Sequence, residues 1–581
     1  MRVYSPLVLG LLSASAVAAT SLPINGWYPC SGSNFMPPTE GADELPFECA
    51  EVKVPLCHEG ICDSDTKIDV YVKRILAQGD TSVGKSVWFL QGGPGLSSAA
   101  MEPSMQQVYA LLNGTTNVYT MDHRGTGRST LLKCDAAGAF TSGSPDGATL
   151  NATEAASCVR DVLFQIENQT VAFSITSAAQ DVVLLTSELN KDEEVYVYGA
   201  SYGTLLTERV MHLAPPHVKG YILDGVISEK LASFAHFGSI REAPGQYFAG
   251  LCDADSVCRE KYGSDVPKEQ KMYDVWVDTY KKLDAAKAGD SMCADLLRGQ
   301  HEKVKPSDVL RVVFGADFSI GDPTGRKIIP AFLQMVRRCD ETDVATLSTI
   351  LGLGEAPSYY DKASDTSAVI GKVFDPVNDA SWLLMFAIKI SEIWSDPLPK
   401  PEDEKAFNDA GVFTSDMSNE YLWHCVLSGK QDNPSCSVLT TFGESFDPPI
   451  DLSSVELIDF TYKPDQYFRH YAKIPDGTSV MVINGKLDFQ TVEPWGIDQY
   501  ENMEGDNKML VEFDYGAHCV GISQSTAEDT TNCGHRIIAS YVENSGDIAK
   551  TDTSCLDELP AIDFDADELL ATMIGANDGQ A

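Results

Sequence analysis

The chain has 581 residues, more than one compact core accommodates, so it divides into domains or carries a large insertion in one. Apolar residues make up 43% and charged residues 22%, the composition of a folded globular protein rather than a disordered one. Acids outnumber bases 84 to 43, and the net charge of −41 argues against nucleic acid as a partner and fits an extracellular protein kept soluble by self-repulsion.

The first 18 residues read as a secretory signal. Arg2 is the positive region, "LVLGLL" (7–12) the apolar stretch, and Ala16-Val17-Ala18 a small-x-small cleavage site. That apolar run is too short to span a bilayer, and no later segment offers about 18 uncharged apolar residues, so stable membrane insertion is not expected. A secreted product fits the 15 cysteines. Cys57/Cys62, Cys252/Cys258 and Cys425/Cys436 are close enough to close short loops, and Cys30/Cys49, Cys134/Cys158 and Cys533/Cys555 are plausible medium-range pairs. The odd count leaves one thiol over, for which Cys519 is the candidate. No paired CxxC or H-x-x-x-H spacing supports a zinc site, and no cofactor motif is present. Asn113, Asn151 and Asn168 open N-x-S/T sequons in polar, loop-like stretches.

From residue 19 the chain reads as the first part of an α/β core (19–228). Strands are expected at "CAEVKVPL" and "KIDVYVKRIL". Three apolar runs of buried-strand length follow: "SVWFL" before "QGGPGLSS", "NVYTM" before "DHRGTGRS", and "EVYVYG" before "ASYGT". The helical spacing of "SAAQDVVLLTSELN" (177–190) lies before the third run, and a fourth run, "GYILDGVI", follows the helix "YGTLLTERVMHLA". Strands alternating with helices predict a mostly parallel sheet covered on both faces. Residues 229–475 lose the alternation and predict a large helical cap. The sheet pattern resumes over 476–555 with "TSVMVING", "KMLVEFDYG" and the helix "CGHRIIASYVENSG". The acidic stretch 556–581 is expected to be disordered.

Chemistry concentrates at the ends of the apolar runs. Gly199-Ala200-Ser201-Tyr202-Gly203 fits G-x-S-x-G between a strand and a helix, the setting of a nucleophile elbow. A serine there needs a base and an orienting acid, which in this arrangement follow in the order acid, then histidine. Asp488, three residues past Gly485, and His518, just after the last strand, supply them. Asp224, at the end of "YILDG", is the rival acid. The backbone N–H groups of Tyr202 and Gly93 are the candidate oxyanion donors. Taken singly, Ser201, Asp488 and His518 are each as readily ordinary turn residues; three such residues, in order, at three strand ends, are not.

In this order "QGGPGLSS", "DHRGTGRS", "GASYGT", "GKLDFQTVEP" and "AHCV" resemble the α/β-hydrolase serine peptidases of the proline iminopeptidase and tripeptidyl aminopeptidase family. Residues 533–555 resemble the C-terminal TAP-like region of the tripeptidyl aminopeptidase branch, and the likeness covers most of 45–555. It implies an α/β-hydrolase fold, Ser201 as nucleophile, His518 as base and Asp488 as orienter, a peptide substrate, and Asp122 and Arg124 as braces beneath the site. It also implies cap acids that bind a substrate amino terminus, for which Glu229 is the nearest position. Gln91 stands where the family often has histidine, and Asp488-Phe489 where it often has Asp-Pro. An esterase or lipase would use the same triad, and a non-catalytic binding protein of this fold usually lacks one of its members.

Overall fold

The computed structural model describes residues 22–32, 45–78, 84–134, 152–299, 304–316, 321–352, 380–394, 399–429, 436 and 455–577. The expected signal (1–18) and Asn151 lie outside the described residues. Among the described residues, nine strands form one sheet in the order β1-β2-β3-β5-β4-β6-β7-β8-β9. They are β1 Tyr28–Pro29, β2 Phe47–Pro55, β3 Lys67–Ile75, β4 Gly84–Leu90, β5 Asn117–Met121, β6 Glu193–Ala200, β7 Val218–Asp224, β8 Ser479–Gly485 and β9 Lys508–Phe513. The first three strands pair antiparallel, and β3 joins β5 antiparallel. From β5 through β4, β6, β7 and β8 to β9 every pairing is parallel. The central strands are apolar on both faces because helices cover both: Val195, Tyr196, Val197 and Tyr198 are all fully buried.

The helix Ile175–Leu189 starts where Ser174 accepts a bond from the Ser177 N–H, a side-chain N-cap. It packs with the helix Tyr202–Leu213 in the main core, which also holds Trp88, Tyr119 and Val197. The described residues of 229–475 are largely helical, and they do not form a single body. The first half of this region, with helices Glu242–Ala254, Met272–Ala285, Pro306–Ala316 and Ile328–Arg338, builds a second core around Trp276 and Phe332, which Phe413 and Phe489 join from later in the chain. Its second half, with helices Trp382–Ile388 and Ser418–Ser428, adds Trp382, Phe386 and Trp423 to the main core. The apolar stretch 330–351 is broken at Cys339, which takes a left-handed conformation (φ 53°), and a new helix starts at Glu341 under an Asp340/Asp343 capping box.

The C-terminal segment departs from expectation. It is not a disordered tail over its described part. Ile562, Phe564 and Ala566 are buried in the first half of the cap, and Asp567–Asn577 is helical. Composition hid this: the alternating apolar residues dock on the cap, while Asp567 and Glu568 sit in the first helical turn, where the helix dipole favours them.

Seven disulfides close: the six expected pairs and Cys293–Cys339, a 46-residue separation that local spacing did not reveal. Cys519 is free and buried. Among the described residues no helix is long and apolar enough to cross a membrane, and no group of three or more His, Cys, Asp or Glu is arranged to hold a metal ion.

Candidate active site

Ser201 sits between β6 and the helix Tyr202–Leu213 with φ 55° and ψ −120°, a conformation that L-residues rarely adopt. The turn closes because its flanks are bare. A Cβ on Gly199 would lie 2.1 Å from the Gly203 carbonyl oxygen, and one on Gly203 would lie 2.6 Å from that of Leu90. The Ser201 N–H donates to the Asp224 carbonyl at the end of β7 (2.8 Å), which ties the elbow to the neighbouring strand. Strain held in place by packing on all sides is common at functional sites.

The loop after β4 lies against the elbow. A Cβ on Gly92 would come within 2.7 Å of the Ser201 Cβ, so Gly92 makes the close approach, and Gly93 takes a left-handed conformation (φ 47°). Tyr202 opens the helix, whose first N–H groups have no intrahelical partner. Its phenol is buried and lies 3.1 Å from His123 Nε2.

Two further turns bring acid and base together. The Leu487 N–H donates to the Gly516 carbonyl (2.9 Å), which joins the turn after β8 to the turn after β9. Asp488 is buried, and His518 Nδ1 lies 2.9 Å from its Oδ2 and 3.1 Å from its Oδ1. The N–H groups of Gln490 and Thr491 donate to Oδ1 (2.8 Å each), and the Thr491 hydroxyl donates to Oδ2 (2.7 Å). Three groups therefore aim the carboxylate at Nδ1, a bond that leaves Nε2 as the free ring nitrogen. Burial disfavours the charged imidazole, but the Asp488 charge and hydrogen bond outweigh it and hold the His518 pKa well above its ordinary value. The Cys519 thiol beside it is pushed up to about 11, foremost by burial, and stays protonated at neutral pH.

Asp488 and His518 are thus a hydrogen-bonded pair, whereas Ser201 Oγ makes no hydrogen bond to His518 in this structure. All three stand at the C-terminal ends of parallel strands, where open α/β sheets bind ligands. The rival acid does not reach the base. The Asp224 carboxyl accepts from the Tyr198 hydroxyl (2.6 Å) and the Gly521 N–H (3.0 Å) instead.

Asp122 and Arg124 act as braces. Asp122 accepts from the Ser98 N–H and hydroxyl and from Arg128, pinning the loop after β4 to the loop after β5. Arg124 is fully buried and forks onto Asp181 with two bonds of 2.6 Å. Glu229 is buried away from the cavity onto which His518 opens. Its N–H donates to Gln499, and burial foremost pushes its carboxyl up to about 8. Asn113 and Asn168 are exposed.

That cavity, of about 600 Å³, lies between the core residues Phe489, Gln490 and His518 and the cap residues Arg241 and Gly315. Sequence reasoning missed Thr491, although a threonine three residues past an aspartate in a turn is a readable signal. It also missed Arg241, which nothing in the sequence marks.

A family model for the α/β-hydrolase fold matches residues 85–255. No curated protein matches the chain. Among solved structures, a proline iminopeptidase from Mycobacterium smegmatis aligns at 11% identity and a TM-score of 0.31, covering 85% of this chain and 98% of its own. An esterase from Exiguobacterium antarcticum aligns at 12% and 0.30, covering 82% and 96%. A serine hydrolase from Cycloclasticus aligns at 11% and 0.30, covering 85% and 98%. The mostly parallel sheet, its strand order and the matched segment around Ser201 make this an α/β-hydrolase-fold protein.

Proposed function

We propose that this α/β-hydrolase-fold hydrolase is a secreted serine hydrolase, an exopeptidase of aminopeptidase or tripeptidyl aminopeptidase type that works through an acyl-enzyme on Ser201. The observation that carries the reading is Ser201 held in a strained left-handed turn on the same sheet edge as the Asp488–His518 pair. Ser201 Oγ attacks the scissile carbonyl carbon and forms the C–O bond as His518 Nε2 takes the hydroxyl proton. Asp488 holds the imidazole and stabilises its charged form, in keeping with the raised His518 pKa. The N–H groups of Tyr202 and Gly93 receive the oxyanion. When the C–N bond breaks, His518 returns its proton to the leaving amine. A water deprotonated by the same nitrogen then hydrolyses the ester.

The peptide assignment rests on the motif resemblance, and the cap over the site favours short chains over folded ones. Seven disulfides support an oxidising destination, and the exposure of Asn113 and Asn168 suits glycosylation. The test is Ser201→Ala. Turnover of amino-acyl and tripeptidyl chromogenic amides is expected to fall by several orders of magnitude, and labelling by a fluorophosphonate probe to vanish. A variant with normal rates sinks the reading. Faster hydrolysis of acyl esters than of peptide anilides by the native protein would make it an esterase.

A further inference from the structure

Arg241 lines the same 600 Å³ cavity as His518, at the start of the cap helix Glu242–Ala254. Among the described residues its guanidinium makes no ion pair and no hydrogen bond, and its Nε is buried without a partner. Arg241 is half-buried, and the fully buried arginines differ from it in having partners for the rest of their guanidinium. Arg124 forks onto Asp181, Arg209 pairs with Glu392 at 2.9 Å, and Arg326 donates to the carbonyls of Tyr515 and Ser525. Among the described residues, the nearby acids that could neutralise Arg241 are engaged elsewhere. Glu242 accepts from the N–H groups of Val412 and Phe413 and from the Tyr273 hydroxyl. Asp322, on the same cavity, accepts from the Thr324 N–H in its own turn. Glu420 acts on Arg241 only through its field and acts likewise on Lys389.

What Arg241 does have is a ring. Its guanidinium lies over Phe237 at 5.0 Å, which covers one face and leaves the N–H edge for ligand. The helix that Arg241 caps is 13 residues long and adds the positive end of its dipole. A partly desolvated guanidinium with no counter-ion among the described residues is an unfavourable arrangement, relieved when an anion arrives. In a chain of net charge −41, a cation on the wall of the cavity that His518 also lines, unpaired among the described residues, is a local inversion of the protein's field.

We propose that Arg241 is a specificity-determining residue that grips a carboxylate of the substrate by a bidentate, charge-assisted pair. This rests on the acyl-enzyme reading above. The carboxylate comes either from the free C-terminus of a short peptide or from an Asp or Glu side chain. Planar fork geometry makes arginine the suitable partner for either source.

The test uses the full chain and four peptides: one with a free C-terminal acid and its C-terminal amide, and one containing Glu and its Gln counterpart. The native protein is expected to favour the acid-bearing member of one pair in kcat/KM by about tenfold or more, mainly through KM, as one strong ionic hydrogen bond implies. Preference within the first pair identifies the main-chain carboxylate, and preference within the second identifies the side chain. R241M should bring the ratio close to one, and R241K, which keeps the charge but loses the fork, should retain part of it. The inactive S201A protein should bind the preferred acid more tightly than its neutral partner in calorimetry, a readout free of catalysis. Equal kcat/KM within both pairs, or a ratio unchanged in R241M, overturns the proposal. A native protein that takes up fluorophosphonate on Ser201 but shows no such preference loses the carboxylate site alone. One that takes up none loses the acyl-enzyme reading and this inference with it.

Discussion

The α/β core and the helical cap solve different problems. In the core, candidate groups are placed by main chain. Ser201 is fixed by glycine contacts on both sides and by the Asp224 carbonyl, and the Asp488 and His518 turns are joined through Leu487 and Gly516. Such geometry tolerates little substitution, because a backbone oxygen cannot swing aside as a side chain can. In the cap, groups are placed by side chains. Glu242, Arg311 and the Asp340/Asp343 box hold helices to loops, and disulfides close Cys252–Cys258 and Cys293–Cys339. The lesson is a division of labour in placement: main-chain geometry sets the candidate site in the core, and side-chain contacts set the cap.

The comparison breaks most visibly if a core substitution is tolerated. Asp488→Asn keeps the shape of the turn but removes the charge that favours imidazolium. Turnover is expected to fall by about 10³–10⁴-fold, because the amide can present its N–H₂ to Nδ1 and leave His518 in the wrong tautomer. Steady-state rates on a chromogenic amide, with circular dichroism as a control on folding, decide it. A loss below tenfold would mean that Asp488 does not orient the base.

The cap answers to stability rather than chemistry. Replacing both Cys293 and Cys339 with serine opens a loop of 46 residues, for which chain entropy implies a loss of about 3–4 kcal/mol. Urea unfolding should show an earlier transition for the cap, while fluorophosphonate labelling of Ser201 in native buffer persists. If labelling falls in step with the cap transition, the two regions are one cooperative unit and the contrast drawn here fails.

The sequence made the core legible and the cap much less so, for the same reason. Central strands such as "EVYVYG" are continuous apolar runs ending in fixed turn chemistry, so strand, elbow and candidate serine are read together. Asp488 and His518 follow because the same rule applies at β8 and β9. In the cap, amphipathic helices specify that they pack, not against what. Trp382 and Trp423 therefore join the main core while Trp276 builds a separate one, with no difference in pattern to announce it. Charge content alone suggested disorder at the C-terminus, because burial of Ile562 and Phe564 depends on a distant surface. Arg241 is invisible in sequence for a related reason: its significance is the absence of a partner, which only three dimensions reveal.

The smallest effect tests how the core tolerates its own buried charge. The Asp224 carboxyl is pushed up to about 7, foremost by burial, with the Asp488 charge adding and the Tyr198 bond, the His518 charge and the Gly521 N–H opposing. In the unfolded chain it titrates near its ordinary 3.8. Between about pH 4 and 7 the folded protein keeps a proton that the unfolded chain has released. The stability tied to this group is therefore fully present below about pH 4, declines as pH rises, and is gone above about 7. Asp224→Asn removes that slope. Its amide oxygen can still accept from Tyr198 and Gly521, while its N–H₂ replaces Oδ1, which already lacks a partner. The variant should fall below the native protein by about 2 kcal/mol at pH 4, the cost of a buried amide donor left unpaired, and exceed it by about 1–2 kcal/mol at pH 8, the two together matching a three-unit shift. Urea titrations of both proteins across this range cancel the contribution of the other acids. Parallel curves would mean that Asp224 is ionised throughout and that the core compensates its charge better than its contacts suggest.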